Sequence, residues 1–113
     1  MFDARQTNLE HPDLAEIELP TVLHALSDPM RLEIVRSLAG YGECACNQVE
    51  LPVSKGTASH HFKVLRLAGV IYQWDQGTKR LSKLRTADLE ERFPGLLESV
   101  LRAAHGLSAT TAA

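Results

Sequence analysis

Apolar residues recur at helical spacing in the first half of the chain and predict two consecutive helices. Between Pro20 and Asp28, the apolar face consists of Val22, Leu23 and Leu26. The Asp28-Pro29 pair then predicts the start of a second helix, because aspartate caps free backbone N–H groups and proline tolerates the first helical position. That helix ends at Gly40, a residue suited to the left-handed conformation that closes many helices.

A further amphipathic segment begins at Ser54, a typical N-cap residue, and ends at Gly69. Its apolar face consists of Ala58, Phe62, Leu65 and Ala68. The segment before it is ambiguous, since residues 46–51 could form a short helix that ends at Pro52. Two helices around residues 51–53 would form a helix-turn-helix.

Beyond this segment the hydrophobic pattern changes from helical to alternating. Residues 70–75, VIYQWD, alternate and are rich in β-forming side chains, and Gln76-Gly77 then predicts a turn. Residues 78–84, TKRLSKL, predict the returning strand of a hairpin. A basic hairpin that directly follows a helix-turn-helix is a wing, so the pattern predicts a winged helix-turn-helix.

A last helical region begins at Thr86 and carries apolar residues at three- and four-residue steps. Pro94 interrupts it, because the residue before a proline avoids the helical conformation. We therefore expect a short helix that ends near Arg92 and a second that starts at Pro94. The apolar stripe is too wide for one small core and predicts a dimer interface, with packing on its own domain as the alternative. The predicted interface consists of Val22, Leu23, Leu96, Leu97, Val100, Leu101 and Ala104.

The chain length of 113 residues predicts a single domain, with flexible ends expected at residues 1–12 and 108–113. A hydrophobic content of 44% and a charged content of 23% fit a globular protein and not a disordered one. The N-terminus lacks the pattern of a signal peptide, and no apolar run reaches the ~18 residues that span a membrane. We therefore expect a cytoplasmic protein without membrane association, whose cysteines are thiols.

The net charge of −2 conceals a strong asymmetry along the chain. Residues 54–85 contain seven basic side chains and one acidic side chain, whereas residues 1–53 contain three basic and nine acidic ones. A confined basic block is typical of a nucleic-acid-binding surface, although a solvated basic face would look the same. The candidate DNA contacts in this block are Lys55, Gly56, Thr57, Ser59, His60, Lys63, Lys79 and Arg80.

These contacts divide into two kinds. In a helix that enters the major groove, side chains near its N-terminus reach base edges, which suits the polar residues Thr57, Ser59 and His60. Lys55 and Lys63 are expected to neutralise phosphates, and the glycine between them lets the backbone approach the DNA. In the wing, an arginine directly after the turn could enter the minor groove.

Four neighbouring residues are expected to play other roles. His61 adjoins the apolar face and is interpreted as a partly buried structural residue. Arg66 either reaches a phosphate or pairs with an acidic side chain. Lys83 and Arg85 are expected to contact the DNA backbone or to be ordinary surface charges.

Three segments, ALSDPMRLEIVRSLAG, SKGTASHHFKVLRLAGVI and RLSKLRTADLEERFPGLLESVL, together resemble the ArsR/SmtB family of bacterial winged-helix transcription regulators. The resemblance covers about residues 20–102, and its Asp-Pro-x-Arg and Ser-x-His-x-x-x-Leu motifs are specific in combination. It implies a mainly α (α+β) winged helix-turn-helix in the order helix, helix, helix, helix, strand, strand, helix, with the terminal helices at a dimer interface. It also implies a homodimer that binds a palindromic operator in double-stranded DNA. Most members are repressors that a metal, metalloid or oxidant releases.

Cys44 and Cys46 are the only cysteines of the chain. Thiolates bind Zn and As(III) well, and family members with a metal or arsenic site in this region carry a Cys-x-Cys motif. In an intact helix the two residues would lie about 200° apart, so they can share an ion only in an extended segment. A third ligand is also needed, and His11 or Asp13 of a partner's N-terminal arm is a candidate.

Other interpretations of the cysteines and histidines remain open. The thiols could be reversibly oxidised, or they could be small buried residues of a turn. Five histidines also leave open a zinc or nickel site with histidine and carboxylate ligands elsewhere in the chain. The family's second metal site is not expected, since only Asp88 and His105 are available for it.

Two further classes of function fit the sequence less well. An enzyme is not expected, because His60 and His61 point about 100° apart on a helix and no substrate-binding loop or acidic partner stands out. A winged helix that binds a protein partner, without a small-molecule signal, is the alternative to a DNA-binding regulator. A neutral or acidic recognition helix would favour that alternative, whereas this helix is basic.

Overall fold

A computed structural model describes residues 9–45 and 49–112, without the side chains of Cys44 and of residues 105–112. In that part of the chain, five helices and three strands follow a 3-10 turn at Leu14–Glu16. They are α1 (Leu19–Ala25), α2 (Pro29–Tyr41), β1 (Glu43–Ala45), α3 (Lys55–Leu67), β2 (Ile71–Gln76), β3 (Lys79–Leu84), α4 (Thr86–Arg92) and α5 (Leu96–Ala112). The fold is the predicted winged helix-turn-helix, with the hairpin of β2 and β3 as its wing.

The helix boundaries follow local capping chemistry. The Asp28 carboxylate accepts the backbone N–H groups of Met30 and Arg31 at 2.7 and 3.2 Å, and Pro29 occupies the first position of α2, as predicted. Ser54 caps α3 by accepting the Thr57 N–H at 3.2 Å. Each of these bonds spans three residues or fewer, which explains why the sequence alone predicts the start of both helices.

The terminal region divides into two helices, as Pro94 predicts. α4 ends at Arg92, and α5 starts at Leu96 instead of at Pro94. The difference arises because Gly95 adopts a left-handed φ of 82°, which makes residues 94–95 a turn. α5 is 17 residues long, and none of the described helices combines the length and apolar character needed to cross a membrane.

The segment before α3 differs from the sequence prediction. Residues 43–45 form β1, which pairs antiparallel with β3, so the sheet order is β1-β3-β2. Residues 49–54 are not helical, and the short helix expected over 46–51 is therefore absent from the described part of that range. Pro52 disfavours the helical conformation for the residue before it. Residues 46–48, which include Cys46, lie outside the described residues.

The hydrophobic core lies between α2, α3, the start of α5 and the sheet. Its fully buried members include Ile17, Ile34, Val35, Leu38, Leu65, Val70 and Ile71. Val22 and Leu97, which the sequence assigned to a dimer interface, are 1% and 6% exposed and belong to this core. Ala104 is also buried, at 8%. These three side chains therefore have little area left to offer a partner.

Gly69, which ends α3, is required by both its conformation and its surroundings. Its φ is +88°, and a Cβ there would lie 2.6 Å from Ile17 Cγ1 and 2.9 Å from Ile17 Cδ1. Because Ile17 is only 1% exposed, its side chain is held inside the core and cannot turn out toward solvent. We expect Gly69→Ala to lower the free energy of unfolding by about 2–4 kcal/mol, measured by urea denaturation.

The matched control for this prediction is Gly40→Ala. Gly40 was predicted to end α2, but the helix continues to Tyr41 and Gly42 is the glycine with a positive φ. A Cβ at Gly40 would meet no atom within 4 Å. Alanine is the better helix former, so this change is expected to stabilise the protein by about 0.5–1 kcal/mol. Equal effects of the two substitutions would contradict the role assigned to Gly69.

Candidate nucleic-acid interface

A cleft of about 690 Å³ separates α3 from the wing. Seven of the eight DNA contacts predicted from the sequence line it together: Lys55, Gly56, Ser59, His60, Lys63, Lys79 and Arg80. The two groups are separated by 16 or more positions in the sequence, and tertiary packing places them on opposite walls of one concavity. The cleft therefore combines the exposed side of a helix N-terminus with a basic hairpin.

Thr57 is the predicted contact that does not line this cleft. Its hydroxyl accepts a hydrogen bond from Ser54 Oγ at 2.9 Å, and its backbone N–H donates to the same oxygen. The residue is exposed, but it belongs to the cap of α3. Its side chain is thus already part of the structure that starts the recognition helix.

The wing turn consists of Gly77 and Thr78, between β2 and β3. Gly77 has a φ of +65°, and a positive φ at this position is what a type II′ hairpin turn requires. Thr78 lines the cleft and was not predicted from the sequence. Its position directly after the turn glycine is the feature that could have identified it.

Comparison with known proteins finds a matching family and similar proteins for this architecture. Residues 26–72 match the family described as a helix-turn-helix domain. The chain is 37% identical over 82 residues to the HTH-type transcriptional regulator YceK of Bacillus subtilis (strain 168). The match covers 70% of this chain and 82% of YceK. It is also 37% identical over 80 residues to the arsenical resistance operon repressor of Staphylococcus aureus. That match covers 70% of this chain and 77% of the repressor.

This chain belongs to the ArsR/SmtB family of helix-turn-helix transcriptional regulators. A crystal structure of a possible transcriptional regulator for arsenical resistance superimposes with a TM-score of 0.57 at 25% sequence identity. The match covers 79% of this chain and 83% of that one. These relatives are named as regulators or repressors of transcription, the class of function that the sequence predicts for this protein.

A buried polar chain fixes the recognition helix of this ArsR-family regulator against its wing. Arg66 Nη1 of α3 donates to Gln73 Oε1 of β2 at 2.8 Å, and Gln73 Nε2 donates to Ser82 Oγ of β3 at 3.2 Å. The three residues are 8%, 1% and 0% exposed. Hydrogen bonds in such a dry setting are costly to break, so the angle between the two walls of the cleft is firmly set.

A second buried contact fixes α3 against α2. Arg31 Nη1 donates to His61 Nδ1 at 3.2 Å, and Arg31 Nε donates to the Ala25 carbonyl at 2.6 Å. Arg31 and His61 are 8% and 9% exposed. His61 is thus the buried structural residue predicted from the sequence, and the arginine of the Asp-Pro-x-Arg motif is its partner.

Arg85 differs from its sequence prediction as a DNA contact or surface charge. It is only 4% exposed, and its Nε donates to Asp88 Oδ2 at 2.9 Å. Its guanidinium also lies 4.5 Å from the centre of the Tyr72 ring, and the Tyr72 hydroxyl donates to the same Asp88 oxygen at 2.7 Å. This cluster joins the sheet to α4 and has a structural role.

Residues 9–12, which were expected to be flexible, are held against the wing. Arg66 Nε donates to the Glu10 carbonyl at 3.2 Å, and Arg85 Nη1 donates to the Pro12 carbonyl at 2.8 Å. His11 Nε2 accepts the backbone N–H of Gln73 at 2.9 Å. Residues 1–8 lie outside the described residues.

His11 and β1 lie on opposite sides of the sheet within one protomer. His11 contacts the outer edge of β2, whereas Cys44 lies on β1 at the opposite edge of the three-stranded sheet. The two edge strands are about 10 Å apart, so the width of the sheet separates His11 from β1 within one protomer. The predicted ligand is His11 of a partner protomer, and it stays a prediction. Among the side chains that the structure describes, no three histidine, cysteine or acidic residues are grouped as metal ligands.

The His11 imidazole is expected to make folding sensitive to acid. Burial lowers its pKa, and the positive charges of Arg66 and Arg85 lower it further, against a bond to the Leu9 carbonyl that raises it. Its stabilising contribution is therefore fully present above the ordinary pKa of about 6.5 and is lost as the pH falls toward the lowered value. Urea unfolding of His11→Gln between pH 7 and 5 should show a smaller loss of stability than the wild type.

His24→Gln is the control for this prediction, because His24 is exposed at the end of α1. That variant should retain the acid sensitivity of the wild type. The same pH dependence in His11→Gln and in the wild type would show that the bond from Gln73 to His11 contributes nothing to it.

Proposed function

We propose that this protein is a homodimeric transcriptional repressor that binds a palindromic operator through the cleft between α3 and the wing. A metal, metalloid or redox signal then releases it from the DNA or tunes its binding. One observation carries the proposal: seven residues predicted as DNA contacts from the sequence line a single cleft. The similarity to the Staphylococcus aureus arsenical resistance operon repressor supports the repressor role.

The two walls of the cleft would make different contacts. Lys55, Ser59 and Lys63 recur every four residues, so they follow one side of α3 from its exposed N-terminus, as a helix in the major groove requires. Lys79 and Arg80 of the wing would reach the adjacent backbone or minor groove. The Arg66–Gln73–Ser82 chain would keep these two contacts at a constant separation.

Dimerisation would pair two such clefts. Leu19 and Leu23 of α1 are large apolar residues that are 41% and 47% exposed, and they lie one helical turn apart. The partly buried residues of the predicted interface on α5 are Leu96, Val100 and Leu101. These side chains support an interface formed by the terminal helices. Two half-sites about 34 Å apart, one turn of DNA, would then be recognised.

Cys44 and Cys46 are the proposed sensing residues, either as thiolate ligands or as oxidisable thiols. Cys44 lies on β1 in an extended segment, directly opposite Ser82 in the strand register. Ser82 belongs to the hydrogen-bonded chain that leads through Gln73 to Arg66 of α3. A ligand or oxidant that moves β1 would thus act on the residues that orient the recognition helix.

Selection of operators from a random duplex pool by the purified protein tests the proposal. We expect enrichment of a palindrome with half-sites one turn apart, and gel filtration should show a dimer. A pool that shows no enrichment, together with no binding to any duplex, would contradict the proposal and favour the protein-interaction alternative.

The sensing role is tested by titrating arsenite, Zn²⁺, Ni²⁺ or hydrogen peroxide into the protein–operator complex. One of these is expected to change operator affinity in the wild type and to have no effect on the Cys44→Ser/Cys46→Ser variant. An effect that persists in the double variant would remove the thiols from the signal.

A further inference from the structure

The face of the wing that contacts α3 carries three cross-strand pairs, of which two are buried and the third is exposed. In the strand register they are Ile71–Leu84, Gln73–Ser82 and Asp75–Arg80. Because side chains alternate along a strand, all three pairs share one face. The first pair lies in the core, the second is the buried polar pair bonded to α3, and the third is an exposed ion pair beside the cleft.

The third pair has the geometry of a two-point fork. Arg80 Nε lies 2.9 Å from Asp75 Oδ1, and Arg80 Nη2 lies 3.3 Å from Asp75 Oδ2. The hydrogen bond from Arg80 lowers the pKa of the Asp75 carboxyl. The carboxylate is therefore charged at neutral pH, and the paired guanidinium is held in one orientation.

We propose that Asp75 is a specificity-determining residue of the DNA-binding surface. It positions Arg80, and its negative charge opposes the phosphates of any duplex that enters the cleft. The inference rests on the proposed function, because it assumes that DNA binds between α3 and the wing.

The charge distribution explains why Asp75 would act on specificity. Non-specific affinity arises from net positive charge near the phosphates and has the same origin on every sequence. Asp75 is the only acidic side chain in residues 54–85, among seven basic ones, and it lies next to the arginine of the wing. A planar guanidinium held in place can still recognise a groove of matching shape, whereas the carboxylate weakens loose backbone binding. Asp75 therefore weakens random binding more than operator binding.

The test compares Asp75→Asn with the wild type on the selected operator and on a random duplex of equal length, over a series of salt concentrations. Affinity for the random duplex is expected to rise about threefold for each added net charge, and its salt dependence to steepen by about 0.9 per subunit. Operator affinity should rise less, so the ratio of operator affinity to random-duplex affinity should fall. In an Arg80→Gln background, Asp75→Asn should lower this ratio less, because only the direct repulsion remains.

Glu33→Gln is the matched control. Glu33 forms a similar fork with Arg36 on α2, outside the cleft, so its loss changes the net charge equally. Thermal unfolding checks that the wing is intact, and Asp75→Ser provides a second variant of different size. An unchanged ratio in both Asp75 variants, or an equal shift in Glu33→Gln, would overturn the inference. A wild type that binds no duplex would instead overturn the proposed function.

Discussion

Replacement of Lys55, Lys63 and Lys79 by alanine in one variant is expected to lower affinity for duplex DNA by about 100- to 1000-fold at ~0.1 M salt. The three side chains line the cleft from both walls, two on α3 and one on the wing. For each phosphate contact that is lost, the DNA releases one counterion fewer when the protein binds. The slope of log affinity against log salt should therefore flatten by about 0.9 per contact in each subunit. Fluorescence anisotropy with a labelled operator measures both quantities.

Lys83→Ala is the control for that experiment. Lys83 belongs to the same basic block and lies on β3, but it does not line the cleft. Its removal should change the affinity and the salt slope far less than Lys79→Ala does. Equal effects of these two single substitutions would show that net charge, and not the cleft, accounts for DNA binding.

Arg31→Met is expected to lower the free energy of unfolding by about 2–4 kcal/mol. The guanidinium donates to the carbonyls of Ala25 and His24 and to His61 Nδ1, in a site where the arginine is only 8% exposed. Methionine fills a similar volume but donates no hydrogen bond, so buried acceptors lose their partner. Urea denaturation measures the loss of unfolding free energy. The orientation of α3 should also become less well defined.

Arg36→Met on the same helix separates this effect from a general loss of charge. Arg36 pairs with Glu33 at the surface, where an ion pair contributes about 0–1 kcal/mol. A double-mutant cycle of Arg31→Met with His61→Leu should give a coupling of about 0.5–3 kcal/mol, because the two side chains share a hydrogen bond. Additive effects would mean that Arg31 stabilises the fold through its bonds to the α1 carbonyls and not through His61.

The arginines show where prediction from sequence was incomplete. Arg31, Arg66 and Arg85 are all buried, whereas the sequence suggested a phosphate contact, an acidic partner or a surface charge for the last two. Arginine is usually exposed, and neighbours along the chain do not show which arginines are buried. Their acceptors lie up to 73 positions away, as the bond from Arg85 to the Pro12 carbonyl shows. Such partners become known only when the chain is folded.

β1 was missed for a related reason. Three residues without strong alternation carry little strand signal of their own, and Glu43–Ala45 becomes a strand by pairing with Leu81–Lys83.

The dimer-interface prediction had a similar weakness. Helical periodicity identifies which residues share a face, but it does not separate Val22 and Leu97, which are buried in the core, from the exposed Leu23.

The sequence by itself determined the features that depend on neighbours along the chain. Asp28 and Ser54 start helices through bonds to residues two or three positions away, Gly77 permits the wing turn, and the basic block is visible in the composition. The tertiary structure alone decided how the two halves of the basic block form one cleft. Its geometry depends on Arg66, Gln73 and Ser82, whose hydrogen bonds form only where three different elements meet in a dry interior.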